Sequence, residues 1–171
     1  MNERKSLRSD RRGAVYVEFL IVFLPLFVMF MSLVQLAFVE IANLVTKHAA
    51  VAACRAAIVV LPDNPQYYSK GDVNRAEGDR LDAITAAAKA RLLAVSVNPN
   101  VAVTFPSGAE GTDSKTAFAA GDTVRVQLAF DYPCRIPIGS RFVCNFLTLH
   151  KKLKAEAAMP LQSAAYKYED E

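Results

Sequence analysis

Arg11-Arg12-Gly13-Ala14-Val15-Tyr16-Val17-Glu18-Phe19 opens a long apolar segment, and its reading decides the fold. Two arginines precede a glycine, and a lone glutamate stands five residues after it. From Phe19 to Val39 no charged residue occurs before Glu40, a run of 21 residues. At about 1.5 Å per residue such a helix covers about 30 Å, the thickness of a bilayer core. Only Ser32 and Gln35 are clearly polar between Phe19 and Val39. A helix apolar on every face over this length is rare in a soluble core, which sets aside that rival reading. Pro25 removes one helical hydrogen bond, so a kink or local melting is expected there. A carboxylate entering hydrocarbon unpaired costs a few kcal/mol, which marks Glu18 as a candidate functional residue. The plainer alternative is an interfacial carboxylate reaching the lipid headgroups.

The flanking charges orient the span. Arg4, Lys5, Arg8, Arg11 and Arg12 stand against Glu3 and Asp10. Basic residues beside a first span stay in the cytoplasm, so the remainder is expected outside the inner face. A cleavable secretory signal is the competing reading. Its apolar region normally runs about 7–15 residues and ends in a small-x-small site. The run here is longer, although Ala49, Ala50, Ala52 and Ala53 offer small residues after Glu40.

Basic residues, Gly13 and a hydrophobic helix with Glu18 at the fifth place resemble the class III signal peptide of type IV pilin-like proteins. More narrowly, Arg12 to Phe19 followed by Ile21-Val22-Phe23-Leu24-Pro25-Leu26 resembles the TadE-like family of minor pilins, or pseudopilins. Further likenesses are the Ala-rich helix with Arg55 near its end and the small/polar alternation of Leu153 to Met159. The strong likeness covers residues 11–60. Many pilins carry Phe after the processing site, where this chain has Ala14. Tad-type pilins carry small residues there.

The resemblance implies a leader, 1–13, removed by a prepilin peptidase cutting between Gly13 and Ala14 on the cytoplasmic side. Glu18 would then pair with the new amine of Ala14 in a neighbouring subunit. A carboxylate and an ammonium attract strongly in apolar surroundings and relieve each other's burial cost. The implied function is structural: a minor pilin in the assembly of a Tad/Flp-type pilus or a related secretion apparatus. The implied partners are the membrane, the peptidase, other pilin and minor pilin subunits, and an inner-membrane assembly platform. The implied location is the bacterial inner membrane, single pass, with the C-terminal domain periplasmic or carried onto a cell-surface pilus. The alternative is a permanently anchored single-pass protein presenting a periplasmic binding or scaffold domain.

The organisation follows from where helical signals stop. Residues 14–39 read as the transmembrane helix and 40–60 as its extramembrane continuation, free of Gly and Pro until Pro62-Asp63-Asn64-Pro65. Ala49, Ala53 and Ala57 recur four apart. Such small-xxx-small faces let helices approach closely, or pack under the chain's own domain, and both readings stay open. Arg55 reads as a surface or capping charge. Residues 61–171 read as one small α+β domain. It has a loop over 61–72 and a second helix over 72–96, kinked near Gly78, with Leu81, Ile84, Ala88 and Leu92 facing the core. Strands are expected at Val101–Phe105 and Val124–Asp131, and again across Phe142–Leu149 and Leu153–Met159. These make a three- to four-stranded antiparallel sheet packed on helices. Residues 106–121 read as a mobile surface loop.

Three cysteines leave at least one unpaired within the chain. Cys134 and Cys144 flank a turn-bearing connection and are the expected disulfide outside the cytoplasm. Cys54, on the alanine face, reads as a small packed hydrophobe, with an intersubunit disulfide the lesser alternative. No cofactor or metal is expected and the chain is not read as an enzyme. His48 and His150 lack matching ligand or catalytic spacing, and no phosphate-binding glycine loop occurs. A net charge of +3 and a basic Lys151-Lys152-Leu153-Lys154 without interleaved aromatics exclude a nucleic-acid partner. Glu169-Asp170-Glu171 reads as a frayed acidic tail.

Overall fold

A computed structural model of the chain describes residues 13–108, 114–145 and 147–161. The leader arginines and the acidic tail lie outside the described residues. The fold is α+β. A long N-terminal helix, α1 (Ala14–Val60), is followed by a single 3-10 turn at Pro65–Tyr67 and by α2 (Gly78–Leu92). Then come β1 (Val101–Thr104), β2 (Thr123–Pro133), the short α3 (Gly139–Val143) and β3 (His150–Pro160). Two compact units emerge. One is the chain to Phe38 with Cys134–Leu149, and the other is Val39–Pro133 with the chain from His150.

Helix α1 is 47 residues long and runs through Pro25 without leaving helical structure. Its end at Val60 follows from Pro62 and Pro65, which cannot continue the ladder. In the second unit its small face is covered by the domain. Ala42, Ala49, Ala50, Ala53, Cys54 and Ala57 have no exposed area, and Thr46, on the same face, turns its hydroxyl onto the Ala42 carbonyl at 2.7 Å. The Cys54 thiol lies 3.6 Å from the Val124 carbonyl of β2. The alanine repeat therefore packs under its own domain.

The sheet is antiparallel with order β1-β2-β3. Val124, Val126, Leu128, Phe130 and Tyr132 form the buried face of β2, two residues apart as the pleat requires. The register pairs Thr123 with Pro160 through to Pro133 with His150. The expected strand over Phe142–Leu149 does not form. Its start belongs to α3, and β3 begins only at His150. The reason is the covalent closure Cys134–Cys144 together with contacts to α1 described below. The N–H groups of Ser140, Arg141 and Cys144 close short turns onto the carbonyls of Ile136, Ile138 and Ser140, in place of a ladder continuing β2.

Helix α2 is shorter than expected because residues 72–77 take another role. Ala76 donates its N–H to Thr116 at 2.8 Å, and Arg75 bridges Ala117. Gly78, at φ +55°, turns the chain into the helix. The buried row is Arg80, Ile84, Ala88 and Leu92, four residues apart, and Leu81 stands beside it, half-buried. Arg80 is the largest fully buried side chain. Its guanidinium donates to the carbonyls of Val60, Leu61 (3.3 Å) and Asp63 (3.0 Å), at and just beyond the end of α1. A cation suits that negative helix end. The Tyr68 ring stacks under it at 4.5 Å, and the Tyr68 hydroxyl donates to Asp63 at 3.1 Å. The capping charge is thus Arg80, from another helix, and Arg55 is an exposed surface residue.

The segment 106–121 is held down at both ends of its described parts. Phe118 packs edge-on against Phe105, with ring centroids 5.7 Å apart, and donates its N–H to Asn74 at 3.0 Å. Lys115 donates to the Asp122 carboxylate at 2.6 Å, and the Ala119 N–H donates to the same oxygen at 3.0 Å. These contacts tie residues 114–121 to the domain, and residues 109–113 of the expected mobile loop lie outside the described residues. The Lys115 ammonium, with the Ala119 N–H, holds the Asp122 carboxyl below its ordinary range.

Two outcomes follow. Truncating Arg80 to Ala removes a charged donor from three carbonyls and should destabilise the second unit by about 2–4 kcal/mol in denaturant titration, with Arg80→Lys partly restoring it. For Asp122, a depressed folded pKa means its contribution is full above the ordinary carboxylate value of about 3.9 and is lost as pH falls through the lower folded value. Asp122→Asn should flatten the acid limb of a stability-versus-pH curve in that window; an unchanged limb would show that the clip contributes nothing.

Candidate functional site

The candidate residues lie in the first unit, along the first half of α1 and the connection 134–149. Gly13 is a turn residue immediately before the helix, and its carbonyl accepts the Val17 N–H at 3.2 Å. Ala14 is the first helical residue. Among the described residues nothing lies within 4 Å of the position a Cβ on Gly13 would take, and its φ is not in the left-handed region. The fold itself therefore makes no demand for glycine there. Glu18 is one turn further on and exposed. Among the described residues it has no ion pair. Its neighbours Val15, Val17, Phe19, Leu20 and Val22 are all more than half exposed.

From Gly13 to Leu26 every described residue of α1 is exposed, and α1 is long and apolar enough to cross a membrane. Phe19, Phe23 and Phe27 stack along one face with centroids 5.2 and 5.7 Å apart, as four-residue spacing allows. Burial begins at Phe27 and Val28. Further along, at Met31–Gln35, the connection 134–149 rests on the helix.

That connection is closed by the Cys134–Cys144 disulfide, so the pair expected from the sequence is formed. Cys54 is the free cysteine, fully buried. The loop sits on α1 at two points. Gln35 is completely buried; its side-chain oxygen accepts the Ile136 N–H at 3.1 Å, and its amide lies 3.9 Å from the Cys144 sulfur. Gly139 is pressed onto the helix backbone, where an added Cβ would stand 2.4 Å from the Met31 carbonyl oxygen. The preceding residue, Ile138, has φ +67° and ψ −60°, and the Gly139 N–H closes the turn onto the Pro137 carbonyl at 2.7 Å. Positive φ at a β-branched residue stores strain of about 1–3 kcal/mol. Ser32, the other polar side chain of the span, bonds the Val28 carbonyl at 2.8 Å. Both polar groups in the apolar run are thereby satisfied.

The sequence did not single out Gln35, Gly139 or Arg80. Gln35 carried a signal, since an amide in an apolar span requires a partner. Nothing local identified which backbone group would supply it. His48 and Arg55 lie on the second half of α1, both exposed, and with Arg91 of α2 they line a shallow groove. Among the described residues no three His, Cys, Asp or Glu side chains come together as metal ligands would.

Comparison with protein-family models, with curated proteins and with solved structures finds no match to this chain.

A methyl at Gly139 cannot be absorbed by the Met31 backbone, so Gly139→Ala should lift the loop from α1. The expected cost is about 1–3 kcal/mol, with faster tryptic cleavage at Arg135 and Arg141 under conditions that keep the disulfide. Unchanged cleavage would show that the loop is held elsewhere.

Proposed function

We propose that this chain is a structural subunit of the minor-pilin type, anchored by α1, cut after Gly13 by a prepilin peptidase, and assembled through Glu18. The observation that carries the reading is Glu18: an exposed carboxylate, without an ion pair among the described residues, in a stretch of helix, 14–39, that holds no other charged residue. A charge in that setting needs a partner from outside. The amine of Ala14 in a neighbouring copy or related subunit would supply it. Cleavage creates that amine, and the start of α1 at Ala14 supports the proposed boundary.

Two further features support an assembly role. Gly13 is not required by the fold, which fits a requirement imposed by a processing enzyme. Ile41, Leu44 and Val59 leave half or more of their surface exposed beyond the apolar run. Large apolar side chains left open on one helix mark a contact surface. The alanine face is occupied by the chain's own domain, so subunits would meet through these larger residues. In this reading the amino terminus is cytoplasmic and the domain after Val60 is external. The proposed partners are the peptidase, other pilin and minor pilin subunits, and an inner-membrane assembly platform.

The test is Glu18→Ala beside Glu18→Asp in the producing cell. The reading predicts normal membrane insertion for both, loss of the Ala variant from sheared or co-purified pilus complexes, and partial retention of the Asp variant. Wild-type recovery of Glu18→Ala would favour a permanently anchored scaffold protein.

A further inference from the structure

The loop 134–149 carries large apolar side chains that the protein does not cover. Phe142 is 71% exposed, Leu147 is 87% and Ile138 is 44%. Ile138 and Phe142, with Pro137, Ser140, Arg141 and Leu149, line a shallow, mostly apolar dish. A disulfide-closed loop presenting such residues to water is unfavourable unless something else receives them.

Its position on α1 says what that is. The loop rests on Met31–Gln35, and the flanking residues Met29, Phe30 and Leu33 are each more than half exposed. Counted from Ala14, Met31 to Gln35 stands about 26–32 Å along the helix, against a hydrocarbon core of about 30 Å. Counted from Phe19, where the uncharged run begins, the same residues lie roughly 6–12 Å inside the far boundary. Either placement puts the loop in the outer part of the bilayer, where interfacial elements bury about 5–10 Å deep.

Hydrocarbon requires irregular backbone to satisfy its polar groups internally, and several of this loop's groups are satisfied in that way. The N–H groups of Cys134, Gly139, Ser140, Arg141 and Cys144 donate to carbonyls within the loop, and that of Ile136 donates to Gln35. Gln35, the amide that would be costly in the span, is consumed in the same contact.

We propose that the Cys134–Cys144 loop is a membrane-interface anchor: it docks on the outer end of the spanning helix and inserts Ile138, Phe142 and Leu147 among lipid acyl chains near the headgroups. The proposal rests on reading α1 as the membrane span. The loop would fix how far α1 can slide through the bilayer. Extraction of the subunit from the membrane would then have to strip these side chains from lipid as well.

The chain has no tryptophan, so a single one reports cleanly. Full-length Phe142→Trp and Phe23→Trp are each reconstituted at low protein-to-lipid ratio. The vesicles are phosphatidylethanolamine and phosphatidylglycerol brominated near the headgroup or near the chain ends, with free N-acetyltryptophanamide as the water reference. Phe142→Trp should show blue-shifted emission and roughly twofold quenching by the shallow bromines, because an interfacial ring lies within the outer 5–10 Å. Phe23→Trp should be quenched by the deep ones. Quenching of Phe23→Trp with none of Phe142→Trp would overturn the loop proposal and leave the span standing. A blue shift of Phe142→Trp without lipid quenching would also overturn it, since a protein would then be covering the loop. Absence of quenching in both would remove the spanning reading and the proposal together.

Discussion

Ala42, Ala49, Ala50, Ala53, Cys54 and Ala57 form a face of α1 with no exposed surface, and the second unit depends on that face being small. The Cys54 thiol reaches the Val124 carbonyl, so the helix meets the strand through a small side chain. A leucine at Ala49 or Ala53 would hold them apart and strain a packed interior. The same face settles what the helix has left to offer. With its small residues spent inside the domain, the residues still open are Ile41, Leu44, Val59 and the apolar run below them.

The two ends of that arrangement are held by polar contacts from distant sequence. At the end of α1, Arg80 of α2 donates to the carbonyls of Val60, Leu61 and Asp63. Its buried charge is offset by the negative helix end and the Tyr68 ring, and among the described residues it has no ion pair with a carboxylate. In the first unit, Gln35 is satisfied by the Ile136 N–H, and Gly139 lets the loop backbone reach the helix. Each contact joins residues many positions apart.

That separation explains what could be read in advance. Hydrophobic length, the prolines after Val60 and the alternation of Val124 to Tyr132 are local signals, and they located α1, its end and β2. Cysteine spacing together with an expected external location gave the Cys134–Cys144 pair. The strand expected over Phe142–Leu149 failed because its apolar content was taken for a sheet face. Those residues instead belong to a disulfide-closed loop that leaves Phe142 and Leu147 exposed. In the loop 106–121, composition does not reveal that Phe118 packs on Phe105 or that Asp122 takes the Ala119 N–H. Arg80 was hidden among the ordinary charges of an amphipathic helix, since periodicity does not say which charge is turned inward. Of the candidate site, the positions Gly13, Ala14 and Glu18 were legible from spacing, whereas the Gln35 and Gly139 contacts needed the tertiary structure.

The central claim is that Glu18 awaits an amine that exists only after cleavage. The most direct measurement is the amino terminus of the protein recovered from membranes of the cell that makes it, by terminal sequencing or intact mass. The account predicts a chain beginning at Ala14. A chain that keeps Gly13 and the leader arginines, in cells with an active prepilin peptidase, would contradict it.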